Sequence, residues 1–234
     1  MSGEIVALPH HRQISDGGFR AALFGLMDGL VTNVSLILGF AGANPGHSIV
    51  RLAGLAGLVS GAFSMGSGEY LSMRAQKELY GYEIDVERRA LADEPVAERE
   101  ELRDIFISRG IDAELAERLS TDLMRDPDLA LRTHTREELG IDPSATGSPW
   151  IAAFSSFLFF SLGALIPLLP WIVASSGNVM WWSVGLAGAA IIFVGASVGH
   201  YTKRGIVYSA LRALVIMGLA SVVTFGVGYL VGVG

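Results

Sequence analysis

Five apolar runs, each long enough to cross a lipid bilayer as a helix, constrain the fold of this chain more than any other feature. A helical span needs about 20 apolar residues. The second run keeps its helical period as far as Tyr80, so we expect one helix that leaves the membrane and continues over residues 74–91 into the polar segment that follows. No strand-like alternation is present in the sequence. We therefore predict an all-α, polytopic membrane protein with spans at about residues 19–43, 48–80, 150–174, 179–199 and 205–232.

An acidic polar segment separates the second run from the third. Residues 83–142 hold 18 of the 23 acidic and 9 of the 17 basic residues, a net charge of −9, which leaves +3 for the rest of a chain whose total is −6. Proline, glycine and aspartate positions indicate a three-helix insert with helices at about 97–109, 113–124 and 127–140. We predict four regions: a tail (1–18), the first two spans (19–79), the acidic insert (80–145) and the last three spans (146–234).

Basic residues near the ends of the spans predict the orientation. Arg12 and Arg20 precede the first span, Lys77 follows the second, and Lys203 joins the fourth to the fifth. The positive-inside rule then places the N-terminus and the acidic insert in the cytoplasm and the C-terminus outside it. The tail lacks the apolar core of a signal peptide. Because no organelle-targeting feature is present, we expect a bacterial inner membrane, and the alternative is a vacuolar membrane.

Two acids, Asp28 and Glu69, lie inside apolar runs. A charged side chain in mid-bilayer costs at least about 2.5–3.5 kcal/mol on insertion scales, so such residues usually mark a path for ions or protons. Met65 precedes Glu69 by four residues and shares its helix face. Carboxylates with a thioether sulfur suit a divalent transition metal. The alternatives are a protonated, hydrogen-bonded Asp28 and a Met65 that only fills space.

The acidic insert carries acids and a histidine at spacings that suit a metal site. Glu98 and Glu101 are three residues apart, and His134 is followed by Glu137 and Glu138. Facing helices with such spacings enclose metals in di-iron carboxylate bundles. The alternative is a set of solvated helix faces, in which nearby arginines neutralise the acids. The arginines in question are Arg88, Arg99, Arg103 and Arg136.

Three motifs resemble those of the vacuolar iron transporter family and follow that family's order. They are FRAALFGLMDGLV at 19–31, GAFSMGSGEY at 61–70 and IPLLP at 166–170. The resemblance extends over essentially the whole chain after the tail. It implies a homodimer with five spans per subunit and a transport path at the dimer interface, lined by the first two spans. The activity it implies is proton-coupled export of Fe²⁺, and often Mn²⁺, from the cytosol.

The resemblance also implies roles for individual residues. Carried over by position, Asp28 and Met65 are intramembrane ligands, and Glu69 is a ligand or the proton-coupling acid. His134 stands where plant members carry methionine, and imidazole suits Fe²⁺ as well as a thioether does. Ala90 and Gly57 replace acids that are expected from the plant members. The implied ligands in a cytosolic metal-binding insert are Glu87, Glu98, Glu101 and Glu138.

The primary prediction is a metal/proton antiporter of a bacterial type, which is not an enzyme. We expect no cofactor besides the transported Fe²⁺ or Mn²⁺ and the coupling protons. The expected partners are a second copy of the chain and membrane lipid, with no nucleic acid. One alternative makes the insert a membrane-tethered di-iron ferroxidase, although the segment is short for a four-helix bundle. Another is a metal sensor or structural protein that transports nothing.

Overall fold

The computed structural model describes residues 17–140, 147–174 and 177–233. Within these ranges the chain forms eight helices and no strand, and five of the helices are long and apolar enough to cross a membrane. The predicted all-α fold with five candidate spans is confirmed. The spans are α1 (Gly17–Gly42), α2 (His47–Asp93), α6 (Pro149–Val173), α7 (Val179–Thr202) and α8 (Ile206–Val233); the short helices are α3 (Pro95–Ser108), α4 (Ala113–Leu123) and α5 (Pro127–Glu137).

The chain divides into two compact units. The first comprises residues 1–71 and 148–234, and the second comprises residues 72–147. The 47-residue helix α2 contributes to both units. The three short helices occupy the segment in which the insert is predicted, and its cytosolic location stays a prediction. The first 16 residues of the predicted tail lie outside the described residues, as do residues 141–146, and α1 begins at Gly17.

Helix α1 lies at the centre of the first unit and packs closely against α6. Glycines bring the two backbones together: a Cβ atom at Gly29 would lie 2.2 Å from the Phe160 carbonyl oxygen, and one at Gly163 would lie 2.3 Å from the Leu26 carbonyl oxygen. Small residues allow such approaches between membrane helices. On another side of α1, an apolar core joins it to α7 and α8 through Leu30, Val34, Ile191 and Met217.

Two polar side chains from neighbouring helices contact α6 near the prolines that interrupt its hydrogen-bond ladder. Pro167 and Pro170 lie inside this helix and lack the N–H groups that would continue its hydrogen-bond ladder. Asn33 Nδ2 donates to the Ala164 carbonyl oxygen at 2.6 Å, and Ser183 Oγ donates to the Pro167 carbonyl oxygen at 2.5 Å. Both donors are fully buried. Polar contacts thus fix α1 and α7 to α6 within an apolar unit.

Aromatic contacts identify which helix ends of the first unit lie together. The rings of Phe19 and Tyr201 are 5.9 Å apart, which joins the start of α1 to the end of α7. The rings of His47 and Trp171 are 5.1 Å apart, which joins the start of α2 to the end of α6. Aromatic side chains are enriched at the two membrane surfaces. The helix ends therefore alternate between two sides, as consecutive spans require.

Candidate metal sites

The short helices of the second unit are delimited by their own sequence. Pro95 stands at the start of α3, where its missing N–H is not needed. Asp112 caps α4 and Asp126 caps α5, and each accepts a hydrogen bond at 3.0 Å from the backbone N–H two residues later. An apolar core then packs α3 against α4 and gives the acidic unit a defined structure; it contains Leu102, Phe106 and Ala116.

His134 on α5 lies among acids contributed by α2, α3 and the end of α5. Its Nδ1 atom is 3.1 Å from Oε1 of Glu87 and 3.6 Å from Oε2 of Glu98. Glu87, His134 and Glu138 each place one potential ligand atom within 4.8 Å of the others. We call Glu87, Glu98, His134 and Glu138 the acidic cluster. It brings together four of the residues predicted as ligands.

The acidic cluster contains buried polar atoms without hydrogen bonds. His134 is 0% exposed and Glu87 is 6% exposed. In the described part of the chain, neither ring nitrogen of His134 nor Oε1 of Glu87 has a hydrogen-bond partner. Buried polar atoms are otherwise nearly always paired. A divalent cation would satisfy them, since imidazole nitrogen and carboxylate oxygen are both ligands of such ions.

Burial and mutual repulsion change the proton affinities of the acidic cluster, which lies outside the apolar spans. Burial, and then the charges of Glu138, Glu98 and Glu101, raise the pKa of Glu87 to about 7. Burial and the charge of Glu101 also raise the pKa values of Glu98 and Glu138. Burial lowers the pKa of His134. At neutral pH the imidazole is therefore neutral, and a metal ion would compete with protons for the carboxylates.

Two further acids lie near the acidic cluster but differ in their surroundings. Glu101 is exposed on α3 and acts on the cluster through its charge. Glu137 forms an ion pair with Arg109, and Arg109 Nη2 also donates to the Glu137 carbonyl oxygen at 2.9 Å. Of the two acids that follow His134 in the sequence, the structure therefore brings Glu138 to the ligand atoms and engages Glu137 elsewhere.

Three of the arginines that were candidates for neutralising the cluster form ion pairs with other acids. Arg88 pairs with Asp85. Arg99 and Arg103 both pair with Glu117, at 2.9 Å and 3.6 Å, and so connect α3 to α4. These contacts use arginine charge to hold the helices together. They favour a cation site in the cluster over a simple solvated face.

Asp28 lies half-buried on α1 with hydroxyl groups on the same helix face. Its Oδ1 atom accepts a hydrogen bond from Thr32 Oγ1 at 3.1 Å. Ser35 is buried, and its hydroxyl has no hydrogen-bond partner within the described ranges. The structure thus places hydroxyl groups on the same helix face as the intramembrane carboxylate.

Glu69 and Met65 lie on α2 and differ in what they contact. Glu69 pairs with Arg20 of α1, with 3.2 Å between Oε1 and Nη2. Met65 packs against the buried side chains of Ala62 and Phe160, so part of its role is to fill space. The sequence analysis did not predict Arg20 as a partner of Glu69. The two residues are 49 positions apart, and no local spacing connects them.

The intramembrane candidates occupy successive depths in the first unit. The ion pair sets Arg20 of α1 level with Glu69 of α2. At 1.5 Å rise per residue, Met65 lies about 6 Å deeper than Glu69, and Asp28 lies about 12 Å deeper than Arg20. Glu69 is therefore the outermost of the three, and Asp28 is the deepest.

Arg212 is a further charged residue within a candidate span, α8. Its guanidinium carbon lies 5.8 Å from the ring centre of Tyr208, one turn nearer the start of α8. The side chain is exposed on the surface of the unit. The Arg212 side chain thus extends toward the start of α8, as a basic side chain does when it reaches for the membrane surface, and it makes a cation–π contact with Tyr208.

Comparison with known proteins gives a consistent result. The model of the VIT family matches residues 19–229. The chain is 31% identical over 208 residues to vacuolar iron transporter 1 of Oryza sativa subsp. japonica, which covers 88% of this chain and 82% of the relative. It is 30% identical to vacuolar iron transporter 1 of Arabidopsis thaliana, with 88% and 83% coverage. It is 32% identical to the vacuolar iron transporter of Acanthamoeba castellanii, with 92% and 78% coverage.

Proposed function

The chain belongs to the VIT family, and from that premise we propose that it exports Fe²⁺ and Mn²⁺ from the cytosol across a membrane in exchange for protons. The family resemblance predicted from the three motifs is confirmed. The protein is an integral membrane metal-ion transporter rather than an enzyme, and the metal is its cargo rather than a cofactor.

The acidic cluster is the observation that carries this proposal. The buried, neutral imidazole of His134 converges with carboxylates from α2, α3 and the end of α5, and among the described residues both His134 ring nitrogens and Glu87 Oε1 have no hydrogen-bond partner. Such a site is costly to bury unless a cation or protons compensate its charge. A cluster of this kind in the insert would collect divalent cations from the cytosol. Asp28, Met65 and Glu69 would then bind them in turn on the way across the membrane.

Proton exchange follows from the same carboxylates. A metal ion and a proton use the same oxygen lone pairs, so each one weakens the binding of the other. Glu87, with a pKa of about 7, is half-protonated at neutral pH in the absence of metal. Within the membrane, protons arriving from outside would replace the metal on Glu69 and Asp28. The cation would thereby be released on the far side.

The proposed direction of transport depends on the orientation of the chain. Arg20 and Lys203 lie at helix ends of the side that we assign to the cytoplasm. This assignment puts the acidic cluster on the side from which cations are taken up. We propose a bacterial inner membrane as the location and a homodimer as the working form. Two copies would double the number of ligands that face the path.

Two other functions, a tethered ferroxidase and a sensor or structural protein, have less support. A tethered ferroxidase would be an enzyme, whereas the relatives are named as transporters. A sensor or structural protein would have little use for acids within its membrane spans, because these acids cost free energy to insert. Thr32 donates a hydrogen bond to Asp28, and Arg20 contacts Glu69, in keeping with a path for ions.

Flux measurements in proteoliposomes test the proposal. Vesicles would contain a metal-quenched dye and a pH dye, and Fe²⁺ or Mn²⁺ would be added outside. We expect metal entry with opposite proton movement for protein inserted with its cytoplasmic side outward. Asp28→Asn should abolish both fluxes, because it removes the deepest carboxylate.

Asp122→Asn is the matched control. Asp122 is an exposed acid on α4 that pairs with Arg125 at 3.0 Å, and it lies outside both candidate sites. This variant should transport as the unaltered protein does. Metal entry without proton movement would refute the coupling, and retained flux in a folded Asp28→Asn protein would refute the path.

A further inference from the structure

Glu69, the outermost of the three intramembrane candidates, forms an ion pair with Arg20. Arg20 Nη2 lies 3.2 Å from Glu69 Oε1, and the Glu69 side chain is 19% exposed while that of Arg20 is 78% exposed. The neighbouring residue Tyr70 packs its ring against Trp150 at 4.7 Å, and Phe19 beside Arg20 contacts Tyr201. Aromatic pairs of this kind are typical of the membrane surface. The Arg20–Glu69 ion pair therefore lies at the end of the first unit that meets the membrane surface.

The guanidinium and a divalent cation would compete for the same carboxylate. A metal ion binds a carboxylate oxygen at about 2.1 Å, whereas Arg20 Nη2 already contacts that group. Two cations on one side chain repel each other strongly where water is scarce. Binding of a metal at Glu69 thus requires that Arg20 move away.

Arg20 is free to make this movement. Its side chain is mostly exposed, so little packing is lost when it leaves Glu69. Its long stem can extend to the surface with the charge in water. Glu69, by contrast, is mostly buried on α2 and keeps its position. The mobile partner of the pair is therefore the arginine.

We propose that Arg20 is a tethered competitor cation, which neutralises Glu69 when no metal is bound and is displaced by each incoming metal ion. This inference rests on the proposed transport function. Arg20 is a positioning residue that sets the metal concentration at which Glu69 is loaded. It also opposes monovalent cations, because a single charge gains less from the carboxylate than a divalent ion does and so displaces the arginine less readily.

Transport kinetics distinguish this role from a structural one. We expect Arg20→Gln to lower the KM for Mn²⁺ about two- to fivefold, the range that ion pairs of this exposure support. Arg20→Lys should keep a KM close to that of the unaltered protein, because it retains the charge. A structural lesion would instead raise KM or lower kcat. An unchanged or raised KM in folded Arg20→Gln protein, or an equal decrease in Arg20→Lys, would overturn the proposal.

Arg51→Gln provides the matched control. Arg51 is an exposed arginine near the start of α2, at the opposite end of the first unit, and the variant makes the same change of charge. It should leave KM unaltered. If the unaltered protein carries no metal at all, the proposed function fails. If it carries metal and Arg20→Gln behaves like the control, only the present inference fails.

A labelling experiment tests the same idea in the unaltered chain and so does not depend on a variant that folds. Phenylglyoxal reacts with free guanidinium groups, and mass spectrometry locates the modified arginines. Labelling of Arg20 should increase when Mn²⁺ is added, because the metal releases it from Glu69. Labelling of Arg51 should not change. Equal labelling of Arg20 with and without Mn²⁺ would refute displacement.

Discussion

His134 determines how the acidic cluster behaves as a ligand set. Its side chain is fully buried, and burial lowers its pKa, so the ring is neutral and offers a lone pair at physiological pH. A charged imidazolium would instead repel a metal ion. A carboxylate at this position would add a fourth acid to a group that already raises the pKa of Glu87. A neutral ligand therefore adds affinity without adding repulsion.

Removal of a cluster ligand should weaken metal binding by the whole protein. We expect His134→Ala and Glu87→Gln each to reduce Mn²⁺ affinity at least about tenfold, since even outer partners of metal ligands contribute that much. Isothermal titration of the detergent-solubilised chain measures the effect. Glu114→Gln is the control, because the Glu114 side chain is 84% exposed on α4. Equal affinities for all four proteins would contradict the assignment.

Metal binding by the cluster should weaken as the pH falls through about 7, where Glu87 gains a proton. The raised pKa values of Glu98 and Glu138 extend this loss to lower pH. Protons then occupy the oxygens that the metal needs. Mn²⁺ titrations between pH 8 and pH 5.5 check the prediction. An affinity that does not change over this interval would show that these carboxylates are not the ligands.

In the metal-free protein, Glu87 should contribute more to the free energy of unfolding in acid than at pH 8. The folded-state pKa of about 7 lies above the ordinary glutamate value of 4.5, so this contribution to stability is fully present below the lower value and is lost as the pH rises through the upper one. Glu87→Gln should therefore raise the free energy of unfolding at pH 8 by up to about 3 kcal/mol. Thermal unfolding in the presence of a chelator measures this. A stabilisation at pH 4 of the same size would contradict it.

The close contact between helices α1 and α6 depends on glycines, which have no side chain. A Cβ atom at Gly163 would meet the backbone of Leu26 at 2.3 Å, which no rotamer change relieves. We expect Gly163→Ala to separate the helices and to reduce the yield of folded protein severely. Size-exclusion chromatography in detergent reports the loss.

Gly185→Ala on α7 is the matched control for this substitution. A Cβ atom there meets nothing within 4 Å, and alanine favours a helix over glycine. The variant should be as abundant as the unaltered protein, or more so. Normal yield and melting temperature for Gly163→Ala would show that α1 and α6 can tolerate a wider spacing.

The extent of the helices could be predicted from the sequence because their signals are local. Apolar length indicates the spans, and Pro95, Asp112 and Asp126 mark the starts of the short helices, as the structure shows. Pairing between distant positions carries no such signal. The contact of Arg20 with Glu69 and the choice of Glu138 over Glu137 both depend on how helices are rotated against one another, and spacing within one helix does not determine this.

The whole molecule leaves polar groups of its first two spans uncovered. Thr32 on α1 and Ser64 and Ser67 on α2 are exposed in the single chain. Thr32 and Ser67 donate hydrogen bonds within their own helices, and small polar residues of this kind are typical of the surfaces at which membrane helices pack, so a second copy could pack against them. We predict a dimer in mild detergent, with a protein mass about twice that of the 24.9 kDa chain. Light scattering coupled to chromatography measures it, and a monomer at micromolar concentration would contradict it.

The bond between Asn33 and the Ala164 carbonyl oxygen also sets an order of events during synthesis. Its two residues are 131 positions apart. At about 5–20 residues per second, α1 waits roughly 7–26 s in the translocation machinery or the bilayer before α6 has been made. During that time the carboxamide and the glycine face of α1 lack their α6 partner. Packing of the first helix is therefore completed only after most of the chain has been made, and slow elongation through the acidic segment would lengthen that interval.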